Sequence, residues 1–105
     1  MNKRETALRN EIVQVAQLAA DQGFMRSSNG NISVRLDESR FLITPSGGYK
    51  LLTQPEDLVI IDWEGNVLEG GPGLRPSSEY RIHIEAYRQR ADIRAALHAH
   101  PPYAI

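Results

Sequence analysis

Cysteine is missing from the sequence, which excludes a disulfide scaffold and any chemistry that uses a thiolate. A metal site would therefore have to use histidine, aspartate or glutamate. An excess of charge is missing too, because 12 lysine and arginine residues are balanced by 13 aspartate and glutamate residues, for a net charge of −1. Proteins that bind nucleic acid or an anionic membrane show a basic excess or a basic face, so we expect neither partner here.

Long apolar runs are also absent. No stretch approaches the ~18 apolar residues that a membrane-spanning helix needs, and the N-terminal residues lack the apolar segment of a signal peptide. With 41% hydrophobic and 24% charged residues, the composition is that of a globular protein and not of a disordered one. The 105 residues fit one domain. We therefore predict a soluble, cytoplasmic protein that forms a single folding unit.

The spacing of apolar residues predicts two helices and five strands. One helix is expected over 5–22, with Gly23 at its C-terminal cap. A second is expected to begin with Ser77 as its N-cap and Glu79 in its first turn, and to end at about Arg90. Strands are predicted at 32–36, 41–43, 58–62, 66–69 and 93–99, and the first four are expected to form two hairpins.

The His98-Ala99-His100 motif is the first candidate for chemistry. On a strand, residues two apart point to the same face and lie about 6.6 Å apart along the backbone. Two imidazoles placed in this way can converge on one metal ion, although two histidines at a solvated strand end are an equally good interpretation of this motif alone. Catalytic zinc takes three protein ligands and keeps one open position, so a further ligand would have to come from elsewhere.

Two side chains of the second predicted helix are candidates to act beside these histidines. Glu79 can supply a carboxylate near a metal, or it can simply complement the positive end of the helix dipole. His83 lies one helical turn further, on the same face as Glu79. It could be a metal ligand, but packing against its neighbours or a hydrogen bond to Glu79 is the more common situation for a helix histidine.

Three short polar segments can offer backbone N–H groups, hydroxyls or amides to an anion. They are Asn29-Gly30-Asn31, Ser46-Gly47-Gly48 and Ser77-Ser78. Each of them alone is typical of a turn or a helix cap. None matches the glycine patterns of phosphate loops or dinucleotide folds, and no serine lies in a strand-to-helix elbow motif, so Ser-His-Asp hydrolysis is not supported.

Taken together and in order, these segments resemble the class II aldolase/adducin family. The resemblance extends over nearly the whole chain: GNISVR at 30–35, LITPSG at 42–47, DLV at 57–59 with Asp62 and Gly65, PSSE at 76–79, His83, and HAHPPYA at 98–104. Several motifs in one order are far more specific than any single motif. The fold that the resemblance implies is of the α/β class, α+β type, with a central, mainly antiparallel sheet flanked by helices.

The resemblance also implies zinc-dependent chemistry on a small phosphorylated sugar or a related hydroxy-carbonyl compound, as in fuculose-1-phosphate aldolases. In the family's aldolases, zinc holds the hydroxyl and carbonyl oxygens of the substrate and stabilises the enediolate formed on carbon–carbon cleavage. By resemblance, His98 and His100 are zinc ligands, and Glu79 is the acid/base and also binds zinc when no substrate is present. The implied phosphate-binding residues are Gly30, Asn31, Ser46, Gly47, Ser77 and Ser78.

The family's zinc site takes a third histidine from the second half of its domain, and this chain has no candidate in that position. His83 is the only other histidine, and its helical location does not match that role. We therefore expect residues 1–105 to be the N-terminal portion of a family domain whose full-length members are homotetramers. The isolated chain is expected to bind zinc weakly and to have little or no activity.

Other functions stay open at this point. A sugar-phosphate epimerase or dehydratase of the same family uses the same zinc and phosphate groups, and a substrate without phosphate is also compatible. A non-catalytic, adducin-like interaction module is a further alternative. The presence of Glu79, His98 and His100 counts against it, because a scaffold has no need of a zinc-ligand pair beside an acid.

Overall fold

The computed structural model describes residues 3–23, 25, 30–47 and 50–99. Its helices and strands follow in the order α1 (Lys3–Asp21), β1 (Asn31–Arg35), β2 (Phe41–Ile43), β3 (Val59–Ile61), β4 (Val67–Glu69), α2 (Tyr80–Gln89) and β5 (Ala95–His98). Two 3₁₀ helices, Lys50–Leu52 and Pro55–Asp57, lie between β2 and β3. The predicted helices and strands are confirmed, with bounds shifted by a few residues.

The five strands form one sheet in the order β4-β3-β2-β1-β5, and every neighbouring pair is antiparallel. The two predicted hairpins, β1–β2 and β3–β4, are present. Two further pairings, β2 with β3 and β1 with β5, join segments that are distant in the sequence. In the β1–β5 pairing, Asn31 lies opposite His98, so the end of β5 is beside the beginning of β1.

The helices cover opposite faces of the sheet. Ile12 and Ala16 of α1 belong to one buried cluster with Ile32, Leu42 and Ile60. Ile84 and Tyr87 of α2 belong to a second cluster with residues from the other face: Phe41, Ile43, Val59 and Ile61. Because both faces are covered, β2 and β3 are apolar at every position and do not alternate. The α+β class with a sheet flanked by helices is thus confirmed.

Helix α1 turns a mostly apolar stripe toward the sheet, but the stripe begins with two buried charged residues, Glu5 and Arg9. Arg9 Nε donates to the Glu5 carboxylate at 3.3 Å, and its Nη1 donates to the carbonyl of Pro55 at 2.9 Å. The helix ends as predicted, where the N–H of Gly23 donates to the carbonyl of Ala20. None of the described helices is long and apolar enough to cross a membrane.

The beginning of α2 corrects one prediction. The helix starts at Tyr80 with Glu79 as its N-cap, so Ser77 is not the N-cap and Glu79 is not in the first turn. Residues 77–80 instead form a turn in which Tyr80 N–H donates to the Ser77 carbonyl and Glu79 N–H to Ser77 Oγ, at 3.0 and 3.3 Å. The Ser77 hydroxyl therefore caps this preceding turn, a use of serine that a sequence pattern does not separate from a helix cap.

Candidate functional site

Strand ends and the start of a helix meet at one edge of the sheet. Strand β1 begins there at Asn31, and the antiparallel strands β2 and β5 end there at Ile43 and His98. The chain leaving β2 then binds the segment that leads into α2, since Ser77 N–H donates to the Thr44 carbonyl at 3.0 Å. Every polar segment singled out in the sequence therefore has described residues at this edge.

The turn after β2 is held against the segment before α2 by further backbone contacts. Pro45 and Pro76 form an isolated antiparallel bridge, and Ser46 N–H donates to the Arg75 carbonyl at 2.8 Å. Thr44 is fully buried, and its Oγ1 accepts the N–H of Ile32 at 3.1 Å. These bonds join β1, the turn after β2 and the approach to α2, so the positions of their polar side chains depend on one another.

Glu79 and His98 come together at the centre of this edge. The Nδ1 atom of His98 contacts Oε2 of Glu79. The Glu79 side chain is 37% exposed and the His98 side chain is 32% exposed, so both side chains are reachable from solvent. An imidazole and a carboxylate in contact can share a proton, and both are donors that zinc accepts.

His83 lies one turn along α2 from Glu79 and is almost fully buried. Its Nδ1 is 2.6 Å from Ser33 Oγ, and its Nε2 contacts Oδ1 of Asn31. Burial and, to a smaller extent, the charge of His98 lower the pKa of His83 to about 4, while Glu79 acts in the opposite direction. The structure thus shows His83 packed against its neighbours, as one predicted alternative had it, with its ring nitrogens bonded to Ser33 and Asn31 and not to Glu79.

The other predicted site residues fall into two groups. Gly30 and Asn31 are buried at the start of β1, and Ser77 is buried before α2. Ser46, Gly47 and Ser78 are exposed. The second histidine of the motif, His100, lies outside the described residues, as do Asn29 and Gly48, so their predicted roles stay predictions.

The backbone geometry at Gly30 requires glycine. Its φ is +88°, and a Cβ atom there would lie 2.6 Å from Cγ of Met25 and 3.1 Å from the carbonyl oxygen of His98. The backbone at Gly30 thus lies close to protein groups beside His98, and the role of Gly30 in binding phosphate stays a prediction.

Sequence reasoning missed two residues that support this edge from inside. Ser33 Oγ lies 2.7 Å from the hydroxyl of Tyr87 as well as close to His83. Ser33 is fully buried, and Tyr87 is 1% exposed. The only signal in the sequence was weak: Tyr87 is one turn beyond His83 on α2, so the two side chains share a helix face.

The donors at this edge fit part of a zinc site. A carboxylate and an imidazole are already in contact, and a second imidazole, His100, follows two residues later in the sequence. Among residues 3–23, 25, 30–47 and 50–99, no three His, Asp or Glu side chains are grouped closely enough to hold a metal ion. Glu79 and His98 would therefore supply only part of the ligand set.

Comparison with known proteins agrees with this arrangement. Residues 10–105 match the family described as the class II aldolase and adducin N-terminal domain. The chain therefore belongs to the class II aldolase/adducin family.

Three similar proteins of this family have named activities. A 5-deoxy-D-ribulose 1-phosphate aldolase from Bacillus thuringiensis is 40% identical over 97 residues, which are 91% of this chain and 45% of that protein. A methylthioribulose-1-phosphate dehydratase from Methylococcus capsulatus is 34% identical, over 88% of this chain and 44% of that protein. The fold of an L-fuculose 1-phosphate aldolase from Glaciozyma antarctica superposes with a TM-score of 0.88 at 26% identity, over 95% of this chain and 42% of that one. The chain thus spans less than half the length of these relatives.

Proposed function

We propose that the chain forms the N-terminal part of a zinc-dependent aldolase, a lyase that cleaves a carbon–carbon bond of a small sugar phosphate. The observation that carries this proposal is the contact between Glu79 and His98 at the edge where the polar segments meet. The names of the aldolase relatives support the substrate class, a ketose 1-phosphate.

His98, His100 and a third histidine from outside this chain would hold the zinc ion, and Glu79 would bind it only when no substrate is present. When bound, zinc would supply Lewis-acid polarisation of the substrate's carbonyl and hydroxyl oxygens. Glu79 is the group that takes or returns a proton at the reacting carbon. Its partial exposure supports this role, because a general acid/base must come within hydrogen-bonding distance of the proton that it transfers.

The substrate phosphate would bind along the joined turns. Ser46, Gly47 and Ser78 are exposed there, while Gly30, Asn31 and Ser77 at the same edge are buried. Backbone N–H groups and hydroxyls at such turns bind anions well. The hydrogen bonds between Thr44 and Ser77 and between Ser46 and Arg75 support the assignment, since they keep the two turns adjacent before any substrate arrives.

The role of Glu79 can be tested with a matched pair of variants in the complete gene product. Glu79→Gln should lower kcat for cleavage of a ketose 1-phosphate about 100-fold or more, the usual contribution of a general acid/base. Glu85→Gln is the control, because Glu85 is exposed on the same helix and pairs with Arg88. A Glu79→Gln enzyme as active as the Glu85→Gln enzyme would contradict the assignment.

The phosphate assignment has its own matched pair. Ser78→Ala should raise KM for a phosphorylated substrate several-fold, whereas Ser39→Ala should leave it unchanged. Both serines are exposed, but Ser39 lies in the turn between β1 and β2, at the opposite end of the sheet. Equal KM values for the two variants would contradict a phosphate site at the Ser77-Ser78 turn.

A second function is supported by the relative named as a methylthioribulose-1-phosphate dehydratase. Aldol cleavage breaks a carbon–carbon bond and gives two carbonyl products, whereas dehydration breaks a carbon–oxygen bond and releases water. Mass analysis of the products from a panel of ketose 1-phosphates therefore separates the two functions. Two smaller carbonyl compounds indicate an aldolase, and a single product lighter than the substrate by one water indicates a dehydratase.

A further inference from the structure

A buried chain of hydrogen-bonding side chains runs from the core to the candidate site. It begins at the hydroxyl of Tyr87, which is 2.7 Å from Ser33 Oγ, and continues to His83 Nδ1 at 2.6 Å. His83 Nε2 then contacts Oδ1 of Asn31. All four residues are 2% exposed or less, so water does not compete for these bonds.

The placement of Asn31 Oδ1 at Nε2 of His83 sets the direction of the protons. An amide oxygen only accepts, so Asn31 Oδ1 requires a proton on Nε2 of His83. A neutral imidazole carries one N–H, so its Nδ1 must accept, and the hydroxyl of Ser33 donates to it. The Ser33 oxygen then accepts from Tyr87. The order of donation is therefore Tyr87 to Ser33 to His83 to Asn31.

This order of donation determines which end of the Asn31 amide is bonded to His83. If the amide alone were flipped, its NH₂ group would face the N–H of His83 and two donors would be opposed, so a flip requires the tautomer of His83 and every bond of the chain to reverse with it. The bond from His83 thus keeps the amide oxygen turned inward and leaves the NH₂ group as the end that can serve another acceptor. Asn31 lies opposite His98 in the β1–β5 register, beside the Glu79–His98 pair.

We propose that His83 is a positioning residue: supported by Ser33 and Tyr87, it fixes the Asn31 amide so that NH₂, and not oxygen, is offered to an anionic oxygen of the substrate. This inference rests on the substrate-binding role of Asn31 in the proposed function. An amide presented the other way would bring an oxygen against an anion. His83 would thereby favour anionic substrates without touching them.

Two substitutions of His83 separate this role from simple packing. In His83→Gln, the side-chain amide can place an N–H where Nε2 stands and still donate to Asn31. In His83→Asn, the shorter amide reaches only the region of Nδ1 and Ser33. We expect His83→Asn to raise both KM for a ketose 1-phosphate and the inhibition constant of inorganic phosphate about tenfold, as for loss of one hydrogen bond to a charged group. His83→Gln should restore most of this loss, and kcat should change little in either variant.

Asn31→Asp supplies a third arm in the complete gene product. It keeps an oxygen for His83 but replaces the NH₂ group by an anionic oxygen, so it should weaken phosphate inhibition at least as much as His83→Asn does. Thermal unfolding of each variant identifies any loss that comes from misfolding. Long-range ¹H–¹⁵N NMR of the imidazole reads the tautomer without any need for turnover, and Nε2–H is expected in the wild type.

The outcomes are distinct. Equal KM and phosphate inhibition constants in folded His83→Asn and His83→Gln variants would overturn the positioning role, and so would an Nδ1–H tautomer. An Asn31→Asp protein with unchanged phosphate inhibition would remove Asn31 from the phosphate site and the positioning role with it. A wild-type protein that turns over no sugar phosphate would overturn the proposed function, whereas the NMR tautomer would still decide the direction of the hydrogen-bond chain.

Discussion

Mild acid should destabilise the folded protein through His83. This side chain is 2% exposed, and burial, together with the charge of His98, lowers its pKa from the ordinary value of 6.5 to about 4. The unfolded chain therefore binds this proton more readily than the folded chain does. The stability that depends on neutral His83 is fully present above pH 6.5, declines as the pH falls toward 4, and is lost below 4.

The magnitude follows from the two pKa values. Since a pKa difference of one corresponds to 1.36 kcal/mol, the full effect is about 3 kcal/mol. At pH 5, which lies between the two pKa values, the same linkage lowers the free energy of unfolding by about 2 kcal/mol relative to pH 8. Most aspartate and glutamate side chains remain ionised down to pH 5, so this range reports mainly on histidine.

Urea unfolding of the purified protein at fixed concentration in zinc-free buffer, at pH 8, 7, 6 and 5, measures this effect. The His83→Gln variant is the reference, because it lacks the titrating group and keeps every other one, including His98 and His100. The free energy of unfolding of the wild type minus that of the variant should fall by about 2 kcal/mol between pH 8 and pH 5. A difference that stays constant with pH would refute the reasoning, as would an NMR titration of His83 with its midpoint near 6.5.

The remaining predictions concern packing. Gly30→Ala should lower the free energy of unfolding by about 2–4 kcal/mol, because the new Cβ would lie 2.6 Å from Met25 Cγ at a φ of +88°. Gly47→Ala is its control, because φ there is +72° and the new Cβ would meet nothing within 4 Å in the described part of the chain. Only a backbone cost of about 1–2 kcal/mol is therefore expected for this variant. Equal losses of unfolding free energy in the two glycine variants, measured by chemical denaturation, would contradict the steric account. Leu42→Ala should lower the free energy of unfolding by about 2–5 kcal/mol, because Leu42 is fully buried between β1 and β3. Leu68→Ala, at a position 52% exposed, should lower it by less than about 1 kcal/mol; similar urea midpoints for the two leucine variants would count against the core as described.

The elements themselves could be predicted from local patterns. The spacing of Ile12, Ala16 and Ala19 describes the buried face of α1, and Gly23 ends that helix. The strands were visible as short apolar runs, and local sequence joined them into two hairpins. These features depend on residues close together in the chain, which is why the sequence alone is informative about them.

The long-range pairings could not be predicted in this way. Alternation in β1 suggests that Ser33 faces solvent, whereas α2 covers that face and buries Ser33 against His83 and Tyr87. In the same way, the charges of Glu5 and Arg9 favour the exposed side of α1, but both residues are buried. Arg9 donates to the Pro55 carbonyl from this buried position. Which face of each element is covered is decided by tertiary contacts that no local pattern encodes.

The candidate site, too, could be predicted only in part from the sequence. The motifs singled out Glu79 and His98 as candidates, and the fold brings the two side chains into contact. The sequence did not reveal that both nitrogens of His83 are used by Ser33 and Asn31, because those partners lie about 50 residues away on β1. The hydrogen-bond chain behind the site is therefore a finding of the structure.

The most direct test of the proposed function measures zinc content and turnover together in the complete gene product. Protein stripped with a chelator should lose cleavage of ketose 1-phosphates and regain it when zinc is restored, with about one zinc ion per chain. His98→Ala should lose both the metal and the activity while remaining folded. Full turnover in the metal-free protein, or unchanged zinc content and activity in His98→Ala, would contradict a zinc-dependent lyase built on Glu79 and His98.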